Sequence, residues 1–475
     1  MRTMRWLRLM LLLAASAWGQ QFDTVLHGGR VMDPESKLDA VRDVGFRGGR
    51  IAAISAKPLR GKTEIDARGL VVAPGFIDLH SHGQDQENYA YKARDGVTTA
   101  LEMEIGVSPV APWYAARQGH VRINFGATAG HVPARMIAMH DSGSWLPKDE
   151  AQKKATAAQV DDTLSRVKTG LDEGGLGIGL GIAYLPGSTH AEILQMFQLA
   201  ASQKVALFVH MRDAGPVEPG GVVDAVQEVL ADALVSGAPL HIVHITSMAM
   251  RQTGLLLNMI ETARRRGVDV STEAYPYTAG STALDSAVFN PGWQERLGIS
   301  YGDIQWVATG ERLTAETFAK YRAQGGNVVI HSIPEDVVRE ALRSPLVMIA
   351  SDGFINQGKG HPRGAGCYAR VLGYYVREEK VLPLMEALRR MTLMPAQRLE
   401  AAVPQMRQKG RIRVGADADI TVFDAATVRD RATFEQPAVY STGIPYVLVN
   451  GVLVVRNGEL VADAAPGVGV RRGKP

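Results

Sequence analysis

The stretch VALFVHMRDAGPVEPGGVVDAVQEVLADALVSGAPLHIVHITS, residues 205–247, contains one complete structural repeat. An apolar run of strand character ends in His210, and a Gly- and Pro-rich turn follows. Residues 222–235 then carry apolar side chains at helical spacing, and a second apolar run ends near His244. The spacing from His210 to His244 is the length of one strand-helix-strand unit with parallel strands. Each histidine closes its strand at the C-terminal end, so the repeat brings two imidazoles to the same rim.

Outward from this unit the alternation continues. The runs VTTALEME, LGIGLGIAY and LVMIASDG, with helical stretches such as residues 191–203 between them, carry it from Pro74 to about Leu399. This predicts an α/β fold of the parallel (β/α)8 barrel (TIM barrel) type. His80 and His82 form a His-x-His pair that precedes His210 by close to four such spacings, which assigns the pair to strand 1 and His210 and His244 to strands 5 and 6. Asp352 follows His244 by more than two repeats, and so falls on strand 8. An insertion of roughly 40 residues is therefore expected between about Ser281 and Gly326.

Flanking the barrel, residues 22–72 alternate apolar and polar residues between Gly-rich turns, the pattern of short antiparallel strands and hairpins. ADITVFD and YVLVNGVLVVRNGELV restore that pattern after Gly410. The expected organisation is a leader at 1–19, one part of a small β-sandwich module at 20–73, the barrel at 74–400, and the rest of the module at 401–475, ending in a loose tail. The leader has Arg2, Arg5 and Arg8, a short apolar run and small residues at Ala17 and Gly19, which reads as a signal peptide for export to a periplasm or beyond the cell. The apolar run is too short to span a bilayer comfortably.

Cys367 is the chain's one cysteine, so neither an intramolecular disulfide nor a lipid anchor at the cleavage site is available, and it reads as a small packed residue. Removing the three leader arginines from 52 basic residues leaves 49 against 49 acidic ones. Such a balance argues against nucleic acid and anionic membranes as partners and leaves a small-molecule substrate. It says nothing about oligomeric state.

A single histidine is usually a packed or surface residue. His80, His82, His210, His244 and Asp352 at strand ends with repeat spacing form a set, and imidazole with carboxylate holds Zn²⁺ or a similar divalent ion while leaving positions open. Water on such an ion ionises near pH 7 rather than 15.7.

The motifs PGFIDLHSH, DGVTTA, HMRD, HIVHITS, EAYPYTAG, IASDG and GHPRGAG, with GRIRVGADADITVFD near the end, resemble the amidohydrolase superfamily. Within it they are most similar to the D-aminoacylases, or N-acyl-D-amino-acid deacylases, and to the D-glutamate deacylase group in particular. The resemblance covers essentially the whole chain after the leader. It implies hydrolysis of an N-acyl amino acid with one or two divalent ions, Zn²⁺ first among them. His80, His82, His210 and His244 match metal ligands, and Asp352 matches the catalytic aspartate that also faces the metal. Arg363 and the tyrosines of YPY, Tyr277 in particular and Tyr275 beside it, match residues that grip the substrate carboxylate, and Arg212 of HMRD joins them as a substrate-binding candidate.

The chain departs from the pattern in two places. Where D-aminoacylases place a cysteine ligand, a gapless alignment gives Ile105, and the nearby donors are Glu102 and Glu104. Acids in an apolar strand are costly unless paired or metal-bound. Glu104, nearer the strand end, is favoured as ligand or bridge, with Glu102 as the alternative. After His244 relatives carry a substrate-binding lysine, whereas this chain reads Ile245, Thr246, Ser247.

The strand-4 run GLGIGLGIAYLPG lacks the lysine that bridges two metals in hydantoinase-like and phosphotriesterase-like branches. His131 and Arg135 of GHVPAR read equally well as structural supports. Arg296 and Arg312, in or near the insertion, are candidates for facing an acidic substrate side chain. A dipeptidase or cyclic-amide hydrolase on the same centre, or a silent barrel used for binding, are the competing functions.

Overall fold

The computed structural model describes residues 21–473, so the leader at 1–19 lies outside the described residues. Eight parallel strands form the barrel in chain order: Phe76–Asp78, Val97–Val107, Asn124–Gly130, Ile178–Gly181, Leu207–His210, Leu240–Ile242, Val270–Ala274 and Val347–Ile349. The helices between them include His190–Gln203 and Val222–Ser236, in agreement with the apolar periodicity.

Backbone ladders join neighbouring strands around the barrel but stop between the eighth and the first. That seam is closed otherwise. The Asp352 N–H donates to the His80 carbonyl (2.7 Å), and Ser81 bridges to Gly353. Beneath them the Lys92 ammonium pairs with Asp78 (2.8 Å), and Asp78 also accepts from the Ser351 N–H (2.9 Å) and hydroxyl (2.6 Å). Lys92 and Asp78 are both buried, so removing one partner strands the other's charge in the interior. Lys92→Met is expected to cost about 3–5 kcal/mol of stability, read from denaturant unfolding. A change below about 1 kcal/mol would show that the seam does not depend on this pair.

The two terminal segments form one module, as expected, with all nine strands joined in a single hydrogen-bonded sheet. The strand Phe22–Asp33 runs antiparallel to Leu38–Arg47 along one edge. Along the other edge it is parallel first to Gly61–Asp66 and then to Val71–Pro74, so the wholly antiparallel expectation is corrected for these two pairs. A register shift between Leu26 and Gly29 accompanies the change of partner. Val71–Pro74 then pairs with Ile420–Phe423, joining the two ends of the chain. Leu26, Val44, Phe46, Ile65, Val72, Ile420 and Leu448 form the module's own apolar core.

The tail is held down as far as residue 473. Val470 donates to the Phe125 carbonyl (2.7 Å), Arg472 donates to the Gly174 carbonyl (3.1 Å), and the Arg471 guanidinium lies 3.8 Å over the Tyr114 ring. Val470 is buried among Leu101, Met103, Leu176 and Phe208. Apolar burial and a β-bridge to the third barrel strand fix a segment whose composition gave no sign of order.

The insertion between strands seven and eight is real and somewhat longer than expected. Gly280–Ala283, Ile304–Trp306 and Asn327–Ile330 form a three-stranded antiparallel sheet. Phe289, Trp293, Trp306 and Phe318 pack into a separate core with it. No helix among the described residues is long and apolar enough to cross a membrane.

Candidate metal centre and active site

The second barrel strand carries the two acids. Glu102 faces Ala127 and Val107 faces Ala129, so residues 103–106 bulge out opposite Thr128 alone. Gly106 takes the left-handed conformation this needs (φ 67°). Glu102 caps the bulge, accepting from the N–H groups of Ile105 (3.2 Å) and Gly106 (3.4 Å), while its other oxygen holds His82 Nδ1 at 2.7 Å. Ile105 packs with Val132, Tyr184 and Leu185 and offers no ligand.

Glu104, inside the bulge, reaches both halves of the histidine set. Its Oε2 lies 3.3 Å from His80 Nε2 and 3.1 Å from His82 Nε2. Asp352 Oδ1 approaches the same two nitrogens at 3.5 and 3.3 Å. Donors bound at 2.0–2.1 Å in a tetrahedron stand about 3.3 Å apart, and His80, His82 and Asp352 form one group that could hold such an ion, with His80, Glu104 and His244 a second. Glu104 Oε1 lies 2.6 Å from His210 Nδ1 and 2.9 Å from His244 Nε2, which are 3.2 Å from each other. One carboxylate therefore joins two donor groups.

The buried imidazoles and carboxylates of the set act strongly on one another. Against the opposing effect of burial, Asp352, Glu104 and Glu273 raise His80 to about 10. Burial also opposes ionisation of Glu104, but His80 and His210 hold its carboxyl well below the usual range. Two ligand-bearing residues sit in left-handed backbone, His244 (φ 31°) and Asp352 (φ 50°), a strain typical of functional positions.

The bulge also accounts for the glycines of the fourth strand. A Cβ on Gly179 would stand 2.4 Å from the Glu104 carbonyl oxygen. The strand that bears a bridging lysine in other branches here gives way to the bulge. Gly179→Ala is expected to push Glu104 out of place and lower bound metal at least tenfold in elemental analysis at fixed metal concentration. Full occupancy in that variant would mean the bulge shifts freely.

A cavity of ≈ 410 Å³ opens above the donors. Tyr275 and Arg212 line it, whereas Tyr277 is buried behind against His361 and Phe434. Burial pushes the Tyr275 phenol up to about 12, so it is a neutral donor, and its hydroxyl has no partner among the described residues. Arg363 stacks on the Tyr275 ring (4.3 Å) and donates to Asp352 Oδ2 (2.9 Å), leaving Nε and Nη1 without partners. The Arg212 fork is closed on Glu228 (2.9 and 2.7 Å). Ser247 lines the cavity near Gly280 and Ser281. Arg296 also lines it, whereas Arg312 borders a different cleft with Glu435. His131 and Arg135 are buried around Glu192, at 2.9 Å each, and do not line the cavity.

Sequence reasoning missed Glu273 and His241. Glu273 holds His80 Nδ1 at 2.6 Å and His241 Nε2 at 3.1 Å, and His241 Nδ1 meets the Ser271 hydroxyl at 2.7 Å. This chain fixes which nitrogen His80 presents to a metal. An acid within the buried strand Val270–Ala274 was the available signal.

A parallel barrel with histidines and carboxylates gathered on its C-terminal rim defines a metal-dependent hydrolase. The chain belongs to the amidohydrolase family, whose model matches residues 63–136 and 134–455. It is 32% identical to an N-acyl-D-glutamate deacylase of Alcaligenes xylosoxydans xylosoxydans, over 92% of this chain and 94% of that protein. A D-aminoacylase of the same organism is 31% identical over 92% and 95%. The crystal structure of an N-acyl-D-glutamate deacylase from Bordetella bronchiseptica, complexed with zinc and a phosphonate inhibitor, superposes with a TM-score of 0.81 at 30% identity, covering 95% of this chain and all of that one.

Proposed function

We propose that this protein hydrolyses the amide bond of N-acyl-D-amino acids, N-acyl-D-glutamate among them, releasing a carboxylate and a free amino acid. The observation that carries the reading is Glu104 joining the His80/His82/Asp352 group to the His210/His244 pair. Divalent ions held there, Zn²⁺ first, would polarise the amide carbonyl and supply a water-derived nucleophile at neutral pH. Asp352 starts each turnover ionised, since Arg363 and His80 hold its carboxyl well below the usual range although burial opposes this. Its Oδ1 faces the donors, placed to take the proton of the attacking water and return it to the leaving nitrogen. The free Tyr275 hydroxyl, with Ser247 and Ser281 on the cavity wall, suits the substrate carboxylate, and the Arg363 guanidinium, which does not line the cavity, lends it positive charge from the face of the Tyr275 ring. Residues 1–19 add the proposal that the reaction takes place after export.

The first test is elemental analysis of the purified protein together with rates on N-acyl-D-amino acids, N-acyl-L-amino acids, dipeptides and dihydropyrimidine-type rings. One or two ions per chain and turnover confined to the D-acyl series are expected. Turnover of rings or dipeptides alone would replace this reading with one of its competitors, and an inert, metal-free protein would favour the silent barrel.

With Arg212 closed on Glu228, Arg296 is the arginine we assign to an acidic substrate side chain; its guanidinium donates to the Val288 (3.0 Å) and Pro291 (3.3 Å) carbonyls, at the cavity wall that Asp213 also lines. Arg296→Glu is expected to cut the preference for N-acyl-glutamate over N-acyl-leucine by about 10–100-fold. An unchanged preference in kcat/KM would remove Arg296 from this role.

A further inference from the structure

The segment between the helices His131–Met139 and Ala157–Asp172 carries Trp145 to the cavity mouth, where the ring remains 41% exposed. The ring stands edge-on to His82 with centroids 5.3 Å apart, and Phe354 stacks beside it at 6.5 Å. The segment is held firmly. The Asp141 carboxylate accepts from the N–H groups of Gly143 (2.7 Å), Lys148 (3.0 Å) and Glu150 (2.7 Å). Arg135, itself fixed by Glu192, donates to the Lys153 carbonyl (2.7 Å), and the Gly187 N–H donates to the Ala151 carbonyl (2.9 Å).

We propose that Trp145, backed by Phe354, is the wall on which the acyl group of the substrate packs, so that the enzyme prefers acyl groups larger than formyl; this rests on the amide-hydrolysis reading above. A planar trans amide sends its two substituents in opposite directions. The groups suited to an amino acid's carboxylate and side chain, Tyr275, Ser247, Ser281 and Arg296, follow strands six and seven or belong to the insertion. An amide centred on the metal donors with its amino acid on that side directs its acyl carbon toward His82, Trp145 and Phe354. The buried His131–Glu192–Arg135 network, which takes no part in the chemistry, then acts as a set of positioning residues for the wall.

The test compares kcat/KM for N-formyl, N-acetyl, N-hexanoyl and N-phenylacetyl derivatives of one amino acid, using metal-loaded parent, W145A and W145F. The ratio of hexanoyl to formyl is read, because general damage to the loop would lower all rates together. Each methylene shielded from water is worth about fourfold, so shielding two or three predicts a ratio roughly 10–60-fold lower in W145A and largely restored in W145F. Should W145A be inactive, W145L supplies the same ratio. A ratio within about twofold of the parent's overturns the wall while leaving amide hydrolysis standing. A parent that cleaves none of the four overturns both.

Discussion

Asp352→Asn is expected to lower kcat for amide hydrolysis by about 10³-fold, within the 10²–10⁴ that a positioned acid–base group contributes. The substitution is nearly isosteric, and asparagine tolerates the left-handed backbone at this position (φ 50°), so strain is not added. An amide oxygen can still face His80 and His82, but it cannot take a proton from water. Arg363 loses its ionic partner at 2.9 Å, so a stability measurement belongs beside the rate. A variant that is folded, metal-loaded and within about tenfold of the parent would exclude Asp352 as the proton carrier.

Glu104→Gln and Glu102→Gln are expected to separate the two acids of the second strand. Glutamine at 104 retains one acceptor oxygen and loses the charge shared between the groups at 3.1 and 2.6 Å. Such a variant is expected to hold at most one ion per chain and to lose at least about 10²-fold in kcat/KM. Glu102→Gln leaves every ligand in place but weakens the hold on His82 Nδ1 at 2.7 Å. Its metal affinity is expected to fall about 10–100-fold, with full occupancy recovered at high metal concentration. Two ions retained in Glu104→Gln, together with their loss in Glu102→Gln, would reverse the assignment.

Much of this is legible in the sequence because barrel geometry converts spacing into position. His210 and His244, one repeat apart, do close adjacent parallel strands, and His80, His82 and Asp352 fall at strands one and eight. Between Glu104 and Glu102 the sequence offers only distance from the strand end, and regular alternation would have put both on one face. The bulge gives them different duties, and a bulge has no period to read. The resemblance favours Tyr277, yet it is Tyr275 that lines the cavity, because a YPY motif does not say which ring points there. Glu273 is invisible there as a partner because its contact with His80 joins distant parts of the chain. The docking of residues 468–472 is unreadable for the same reason, since the groove that receives them is built by distant segments.

That the sheet of the small module is built from both chain ends has a consequence for how the protein comes into being. A ribosome delivers Val71–Pro74 long before Ile420–Phe423, the strand that will cover its edge. At about 5–20 residues per second the wait is on the order of tens of seconds. All that time a short strand whose every residue is buried in the finished protein offers an unpaired edge. Val470, in the barrel floor, arrives later still. The nascent chain therefore has little to gain from folding as it emerges, and a holdase that releases only the finished polypeptide would suit its topology better than one that acts domain by domain.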